Sequence, residues 1–288
     1  MLNKLTLIGV GLIGGSLSLA LKKAGYVKQV CAYDVDHENA QFAKDQGLID
    51  QFETELAAAV QDADVVVIAV PVGALAVVAQ DLQAVLNEKT VLTDVGSVKQ
   101  SVVDAVTAAF GESPANFVPA HPIAGTEKSG ARAAFDSLFN NKRVMLTPTP
   151  ESRAEAIELV ADMWRAAGAQ IEHMSVSDHD AIFAATSHLP HMLAYSFVNA
   201  LASIDMSEEI FSYAAGGLHD FTRIASSNPV MWRDVCLHNR EQLLAVIDTF
   251  TGNLDVLRDG IESADERFLE QQFTDAKQIR DRYKPPNE

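Results

Sequence analysis

Residues 5–16 read LTLIGVGLIGGS, an apolar run that turns glycine-rich and then apolar again, with the spacing Gly9-x-Gly11-x-x-Gly14. This spacing suits the binding of a pyrophosphate. Gly9 permits a tight turn off a strand, Gly11 lets backbone approach phosphate, and Gly14 lets the following helix pack closely with its positive end toward the anion. A second apolar run ends at Asp34, 20 residues beyond Gly14, where a carboxylate can accept hydrogen bonds from ribose hydroxyls. Asp34 and Asp36 would repel a 2′-phosphate and no Lys or Arg follows closely, so NAD is expected over NADP. Leu12 and Ile13 in the first turn of the expected helix, and Val70 and Pro71 at the end of a later apolar run, complete the candidate cofactor-binding set.

Two further positions lie where a strand should give way to a loop, the place at which doubly wound sheets hold their ligands. His121 begins His-Pro-Ile-Ala-Gly-Thr-Glu-Lys-Ser-Gly130, and a neutral imidazole there can accept a proton. Ser97, in Asp94-Val-Gly-Ser-Val-Lys99, can orient a hydroxyl, or it can cap a helix beginning near Val98. His179, His188 and His191 share one helical stretch, but no acidic pair or cysteine joins them, so no metal is expected. Gly216-Gly217 precede Leu-His-Asp220-Phe-Thr-Arg223. Arg223 could form an ion pair with Asp220 three residues away, or could take a substrate carboxylate bidentately.

These residues need a scaffold, and the first half of the chain supplies alternating strand and helix patterns. Residues 65–70 and 90–94 are short β-branched runs, and helical stretches fall at 13–25, 36–46, 74–86 and 98–109. Further strands are expected at Phe117-Val-Pro-Ala and Arg143-Val-Met-Leu-Thr, then a helix over 151–167 and a strand over 169–173, read as a last unit appended to the sheet. The fold class is therefore an N-terminal α/β domain, a Rossmann-type, doubly wound and mainly parallel sheet over residues 1–173. An all-α domain over 174–288 follows it, for substrate and dimerisation. In the second part Ser177-Asp-His-Asp180 reads as a capping box and Pro190 should kink its helix. Asn228-Pro229 reads as an N-cap, and 229–285 as almost continuous helix. So much apolar helix is expected to pack against a second copy, giving a homodimer. The final Lys-Pro-Pro-Asn-Glu is expected to be disordered.

The chain has 288 residues, 48% of them apolar, and a net charge of −17. That balance argues against nucleic acid and anionic membranes, and an anionic substrate would need a local cation. Cys31 and Cys236 fit no redox or metal spacing, no signal peptide or membrane helix is legible, and a cytoplasmic protein is expected.

The motifs GLIGGS, DVGSVK, HPIAGTEKSG, SHLPH and DFTRIASSNPVMW together resemble the prephenate dehydrogenase family, which includes arogenate and broad-specificity cyclohexadienyl dehydrogenases. The likeness runs nearly end to end. It implies that His121 is the catalytic histidine that binds the ring hydroxyl, with Ser97 its partner. It implies that Arg223 binds a carboxylate and that His191, with His188 beside it, lines the pocket. Gly125, Thr126 and Glu127 fall in the loop at the pocket mouth, and Asp220, His219 and Glu127 are candidates for telling prephenate from arogenate. The implied reaction is oxidative decarboxylation of a cyclohexadienol, with NAD as hydride acceptor and no metal. Neither a fused chorismate mutase nor a regulatory domain is legible, so feedback through one is not expected. Two other readings stand beside it, a β-hydroxyacid-type dehydrogenase and a non-enzymatic NAD(H)-sensing regulator. The first uses a lysine in the helical half, and residues 175–231 contain none. The second leaves His121, Ser97 and Arg223 without a task.

Overall fold

The computed structural model describes residues 1–126 and 128–283, and the tail 284–288, expected to be disordered, lies outside the described residues. The chain divides into two compact units, Met1–Arg240 and Glu241–Glu288. The first opens β1 (Leu2–Ile8), α1 (Leu12–Lys23), β2 (Val27–Tyr33), α2 (His37–Asp45), β3 (Gln51–Phe52), α3 (Leu56–Val60), β4 (Val65–Ile68), α4 (Leu75–Gln83), β5 (Val91–Asp94), α5 (Gln100–Phe110) and β6 (Phe117–Val118). These strands form one sheet in the order β3-β2-β1-β4-β5-β6, every pairing parallel. That is the doubly wound order with its switch point between β1 and β4. Both faces are covered, so β-branched and apolar residues fill both: Val65 and Val67 face one cluster, and Val66 and Ile68 the other. Each such fully buried side chain stabilises the fold by about 1.5–3 kcal/mol.

Register matters for function. Ile8 pairs with Tyr33 and with Ile68, and Ile68 pairs with Asp94. The carboxyl ends of four strands therefore stand in one row, and the loops that follow them share one edge. β3 and α3 were not foreseen, because two strand residues are too few to show a period.

The expected appended unit is instead a second sheet. β7 (Ala120–Pro122), β8 (Arg143–Leu146) and β9 (Gln170–His173) pair in the order β7-β8-β9, antiparallel then parallel, with α6 (Ala154–Ala166) between β8 and β9. The chain changes sheets at Pro119, which has no N–H to continue the β6 ladder. Its carbonyl instead accepts from Thr147 N at 3.0 Å. Trp164 of α6, fully buried and edge-on to Phe139 at 5.1 Å, seals this part of the core.

Helices complete the unit: α7 (Val176–Phe183), α8 (Leu189–Ala202), α9 (Ser207–Ser212), α10 (Gly216–Thr222) and α11 (Pro229–His238). The cap of α7 is Ser175, accepting from Asp178 N at 3.0 Å, and not the Ser177 box. The distortion expected from Pro190 is a π turn over Ala184–His188, which spares the chain an unmade i→i−4 bond at the proline. Asn228 caps α11 with Pro229 in its first turn, accepting from Val230 N and Met231 N. The expected continuous helix over 229–285 is three helices. Asn239 ends α11, and α12 (Arg240–Glu262) and α13 (Glu266–Arg282), the bulk of the second unit, are joined by a turn in which Ala264 takes φ +53°. In that unit a Cβ on Gly260 would stand 2.7 Å from the Phe268 ring, so glycine lets α12 and α13 approach. No helix among the described residues is long and apolar enough to cross a membrane.

Candidate active site

The glycine loop lies at the switch point. Gly9 has φ +92°, and a Cβ there would meet the Ala69 carbonyl oxygen at 2.8 Å, so both conformation and space require glycine. Gly14 is as tight, 2.8 Å from the Gly9 oxygen, whereas a Cβ on Gly11 would meet nothing within 4 Å. Gly11 is thus open toward the side from which a pyrophosphate would approach. It is also the N-cap of α1 with no side-chain cap and no acid in the first turn, which leaves the amides of Leu12, Ile13 and Gly14 available. These features fit a dinucleotide. Val70 flanks Gly9, its Cγ1 3.1 Å from where a Cβ would be, and Pro71 opens the short turn that follows.

Asp34 has a second task that the sequence did not reveal. Its carboxylate accepts from Val10 N and Asp36 N, both at 2.9 Å, and from Asn39 Nδ2 at 2.9 Å; Asn39 also donates to the Val10 carbonyl at 3.0 Å. It braces the glycine loop.

On the same edge, β7 carries His121, 9% exposed. Its Nδ1 lies 2.8 Å from His179 Nε2, and His179 Nδ1 lies 2.8 Å from Asp180 Oδ1. Asp180 also accepts from the backbone amides of Lys99 and Gln100, each at 2.8 Å. Burial works against its charge, but the bond from His179 and those two amides outweigh it and hold the carboxyl below its ordinary value. An ionised Asp180 only accepts, so His179 Nδ1 donates to it. His179 Nε2 then holds a lone pair and accepts from His121 Nδ1–H, which leaves the lone pair of His121 on Nε2. Burial holds His121 well below the usual imidazole value, helped by His179, Lys99 and His188. Burial also lowers His179, against the pull of Asp180. The pair is neutral at pH 7, with Phe183 against both rings at 5.1 and 4.6 Å.

His188 is 1% exposed and pushed down to about 4, chiefly by burial. Asn239 Nδ2 faces its Nδ1 at 3.1 Å while also donating to the Asp180 carbonyl at 2.9 Å, so Nδ1 accepts and the proton sits on Nε2. That Nε2 makes no hydrogen bond of good geometry, although the Ser97 backbone is close enough to act on the ring. His191 donates from Nδ1 to the Ser187 carbonyl at 2.9 Å and stacks on Trp232 at 3.7 Å. Trp232 and Val235 pack on Val98, next to Ser97. The structure therefore gathers His121, Ser97, His188 and His191 around one loop. Ser97 caps nothing: α5 starts at Gln100, and Asp180 of α7 takes its first amides.

Other expected residues lie on the surface. Gly125 and Thr126 are exposed, with Thr126 Oγ1 accepting from Lys128 N at 3.2 Å, and Glu127 lies outside the described residues. Asp220 is paired at 4.0 Å with His219, its side chain 87% exposed. α10 ends at Thr222, and Arg223, still right-handed helical at φ −51°, opens a tighter 3₁₀ turn over Arg223–Ser226. Sequence reasoning missed the relay partners: His179 was read only with a metal trio and Asp180 only in a cap. The signal was there, a His-Asp pair on the buried face of a helix.

A glycine loop at the switch point, an acid just past β2 that braces it and a buried neutral histidine at the same strand ends define a dinucleotide-binding dehydrogenase of the two-part, Rossmann-plus-helical class. Within that class the family is specific. Residues 17–173 match the family model for the prephenate dehydrogenase nucleotide-binding domain, and residues 175–275 match that for the prephenate dehydrogenase dimerization domain. The chain belongs to the prephenate dehydrogenase family. It is 37% identical to the prephenate dehydrogenase of Bacillus subtilis, over 98% of this chain and 76% of that one. It is 36% identical to the cyclohexadienyl dehydrogenase of Zymomonas mobilis, over 96% and 94%. Among solved structures, prephenate dehydrogenase from Aquifex aeolicus in complex with hydroxyphenyl propionate and NAD+ superposes with a TM-score of 0.90 at 35% identity, covering 97% of this chain and 98% of that one.

Proposed function

We propose that this protein is an NAD-dependent dehydrogenase that oxidatively decarboxylates prephenate, arogenate or both, on the route to tyrosine. The observation that carries the reading is the chain Asp180–His179–His121, which leaves a neutral base at His121 Nε2. Bound NAD supplies the acceptor for the hydride that leaves the carbinol carbon. His121 Nε2 takes the hydroxyl proton as the C–O bond becomes a carbonyl, and Ser97 keeps that hydroxyl in line. The positive charge then on His121 is stabilised through His179 by Asp180. When the ring carboxylate leaves as carbon dioxide, its bonding pair enters the ring and the oxygen becomes phenolic. That oxygen takes back the proton from His121, so base and relay finish as they began.

Arg223 is assigned to a substrate carboxylate, because a guanidinium meets a carboxylate with two parallel hydrogen bonds and the chain is otherwise strongly acidic. His188 Nε2–H and His191 line the pocket, Gly125 and Thr126 its mouth. The reading includes a nucleotide-binding part over 1–173, a helical part over 174–288 that pairs two copies, and work in the cytoplasm.

The test is absorbance at 340 nm with NAD and each substrate in turn, on the wild type and on His121→Asn. Turnover of either substrate, lost by about two to four orders of magnitude in the variant with its KM little changed, is expected. An inactive wild type, or a variant of normal turnover, would overturn the reading.

A further inference from the structure

Lys99 is fully buried, and so is the Asp94 carboxylate with which its Nζ forms an ion pair. A buried pair of this kind is more often neutral or costly to stability than helpful, so its presence calls for another reason. The reason lies in what else the pair touches. Asp94 Oδ1 accepts from Ala120 N at 3.1 Å, and Lys99 Nζ donates to the Ala120 carbonyl at 2.8 Å. One ion pair thus grips both polar groups of the residue immediately before His121. Ala120 is also where the chain has just changed sheets, so its amide is outside the β6 ladder and needs that partner. The Lys99 backbone amide, meanwhile, binds Asp180 Oδ1, the far end of the relay. Lys99 therefore holds His121 from two directions: its side chain fixes the β7 backbone and its main chain fixes the carboxylate that orders both rings.

We propose that Lys99, with Asp94, is the positioning residue of His121: the ion pair fixes the Ala120 backbone and the Lys99 amide fixes Asp180, so that His121 Nε2 is held where the substrate hydroxyl is met. This rests on the reading of His121 as the proton acceptor. The charged and titratable groups around that ring are Lys99 and Asp94 from β5 and its loop, His179 and Asp180 from α7, and His188 from the π turn. Asp180 favours a proton on the relay. Burial is the largest cause holding both His121 and His179 down; Lys99 adds to it on each ring, Asp94 like Asp180 favours a proton on His179, and burial also draws the Lys99 amine below its own ordinary value.

The experiment is the pH dependence of kcat, with the imidazole resonances of His121 followed by NMR in the substrate-free protein. In the wild type the acid limb of kcat and the His121 titration are expected well below the ordinary 6.5. In Lys99→Met the limb and the titration should both move up, by about one pH unit. The optimum kcat should fall about tenfold and the substrate KM should stay within about twofold, since a displaced base weakens the transition state more than binding. Lys99→Met strands the Asp94 charge, so the neutral pair Asp94→Asn with Lys99→Met is made beside it; it should lower kcat as the single variant does and move the limb in the same direction by a smaller amount, since Asp94 itself favours a proton on His179. A wild-type limb at or above 6.5 overturns the proposal, as does a folded double variant that loses thermal stability but keeps the wild-type limb and kcat. The His121→Asn control separates the two levels. Normal turnover there removes the reading of His121 and this proposal together, while a crippled control with unshifted Lys99 variants removes this proposal alone.

Discussion

Replacing Asp180 with Asn removes one charge and one acceptor from the chain that ends on His121. Asp180 accepts three hydrogen bonds, from His179 Nδ1 and Lys99 N on Oδ1 and from Gln100 N on Oδ2, each 2.8 Å long. An amide cannot satisfy all three. If its oxygen stays at the Oδ1 position, its NH₂ meets the Gln100 amide donor to donor. If it turns over, the NH₂ faces His179 Nδ1, and that ring must move its proton to Nε2. His121 Nδ1 then accepts, the His121 proton moves to Nε2, and the lone pair that receives the substrate proton is gone. Each orientation leaves one donor-to-donor conflict, so neither dominates and a sizeable fraction of molecules carries the wrong tautomer. Losing the charge also weakens the hydrogen bond that steadies the transient imidazolium. A charge-assisted bond exceeds a neutral one by about 1.4 kcal/mol, which is about tenfold in rate. With the tautomer added, kcat is expected to fall by about 10²-fold, and the low-pH limb should change shape. The unsatisfied amide should lower Tm by a few degrees, at about 1–3 kcal/mol for one buried donor. NAD affinity, read by fluorescence titration, should not change, since Asp180 has no part in the glycine loop. A kcat within about threefold of wild type, alongside a His121→Asn variant reduced more than a hundredfold, would refute the relay.

Cofactor choice is tested by Asp34→Ser with Val35→Arg: Val35 is 86% exposed and has room for a guanidinium, so the ratio of KM for NADP to KM for NAD should fall by about tenfold or more. Because Asp34 also braces Val10, the double variant should bind NAD less tightly than Val35→Arg alone, and equal binding of NAD would refute the bracing. Arg223→Ala should raise substrate KM about a hundredfold, and Lys should restore part of it; a lowered Tm with normal KM would make Arg223 structural. Acid should unfold the protein through its buried histidines. His188 titrates near 4 when folded and near 6.5 when unfolded, so between those values the unfolded chain binds more protons. Stability is therefore complete above about 6.5 and is lost as pH falls toward 4, by about 3 kcal/mol for this residue alone. Thermal melts of wild type and His188→Asn from pH 7.5 to 4.5 should show a flatter profile in the variant, and parallel profiles would refute the assignment.

Much of this was legible in the residues. The glycine loop and Asp34 speak through local spacing, and the doubly wound order follows from alternating runs. The placement of His121 and Ser97 was legible because both follow runs that read as strands. What stayed hidden was set by distance along the chain. His121 and His179 lie 58 residues apart, and nothing near either says that they touch. Asp180 looked like a local cap because Asp near a helix start usually is one, yet it caps α5, 80 residues away. Ser97 looked like a cap for the same local reason and is not one. The second sheet could have been inferred from Pro119, since a proline inside an apparent strand marks a place where the ladder stops.

Pro119 also divides the labour of the site. His121 is fastened from behind, by Ala120 and by β8, while the exposed Gly125 and Thr126 come after the strand has ended. Under the proposed function the base thus sits on the fastened stretch and the pocket mouth on the exposed one. Substitutions at Gly125 or Thr126 are then expected to change which cyclohexadienol is turned over while leaving the His121 pH limb in place.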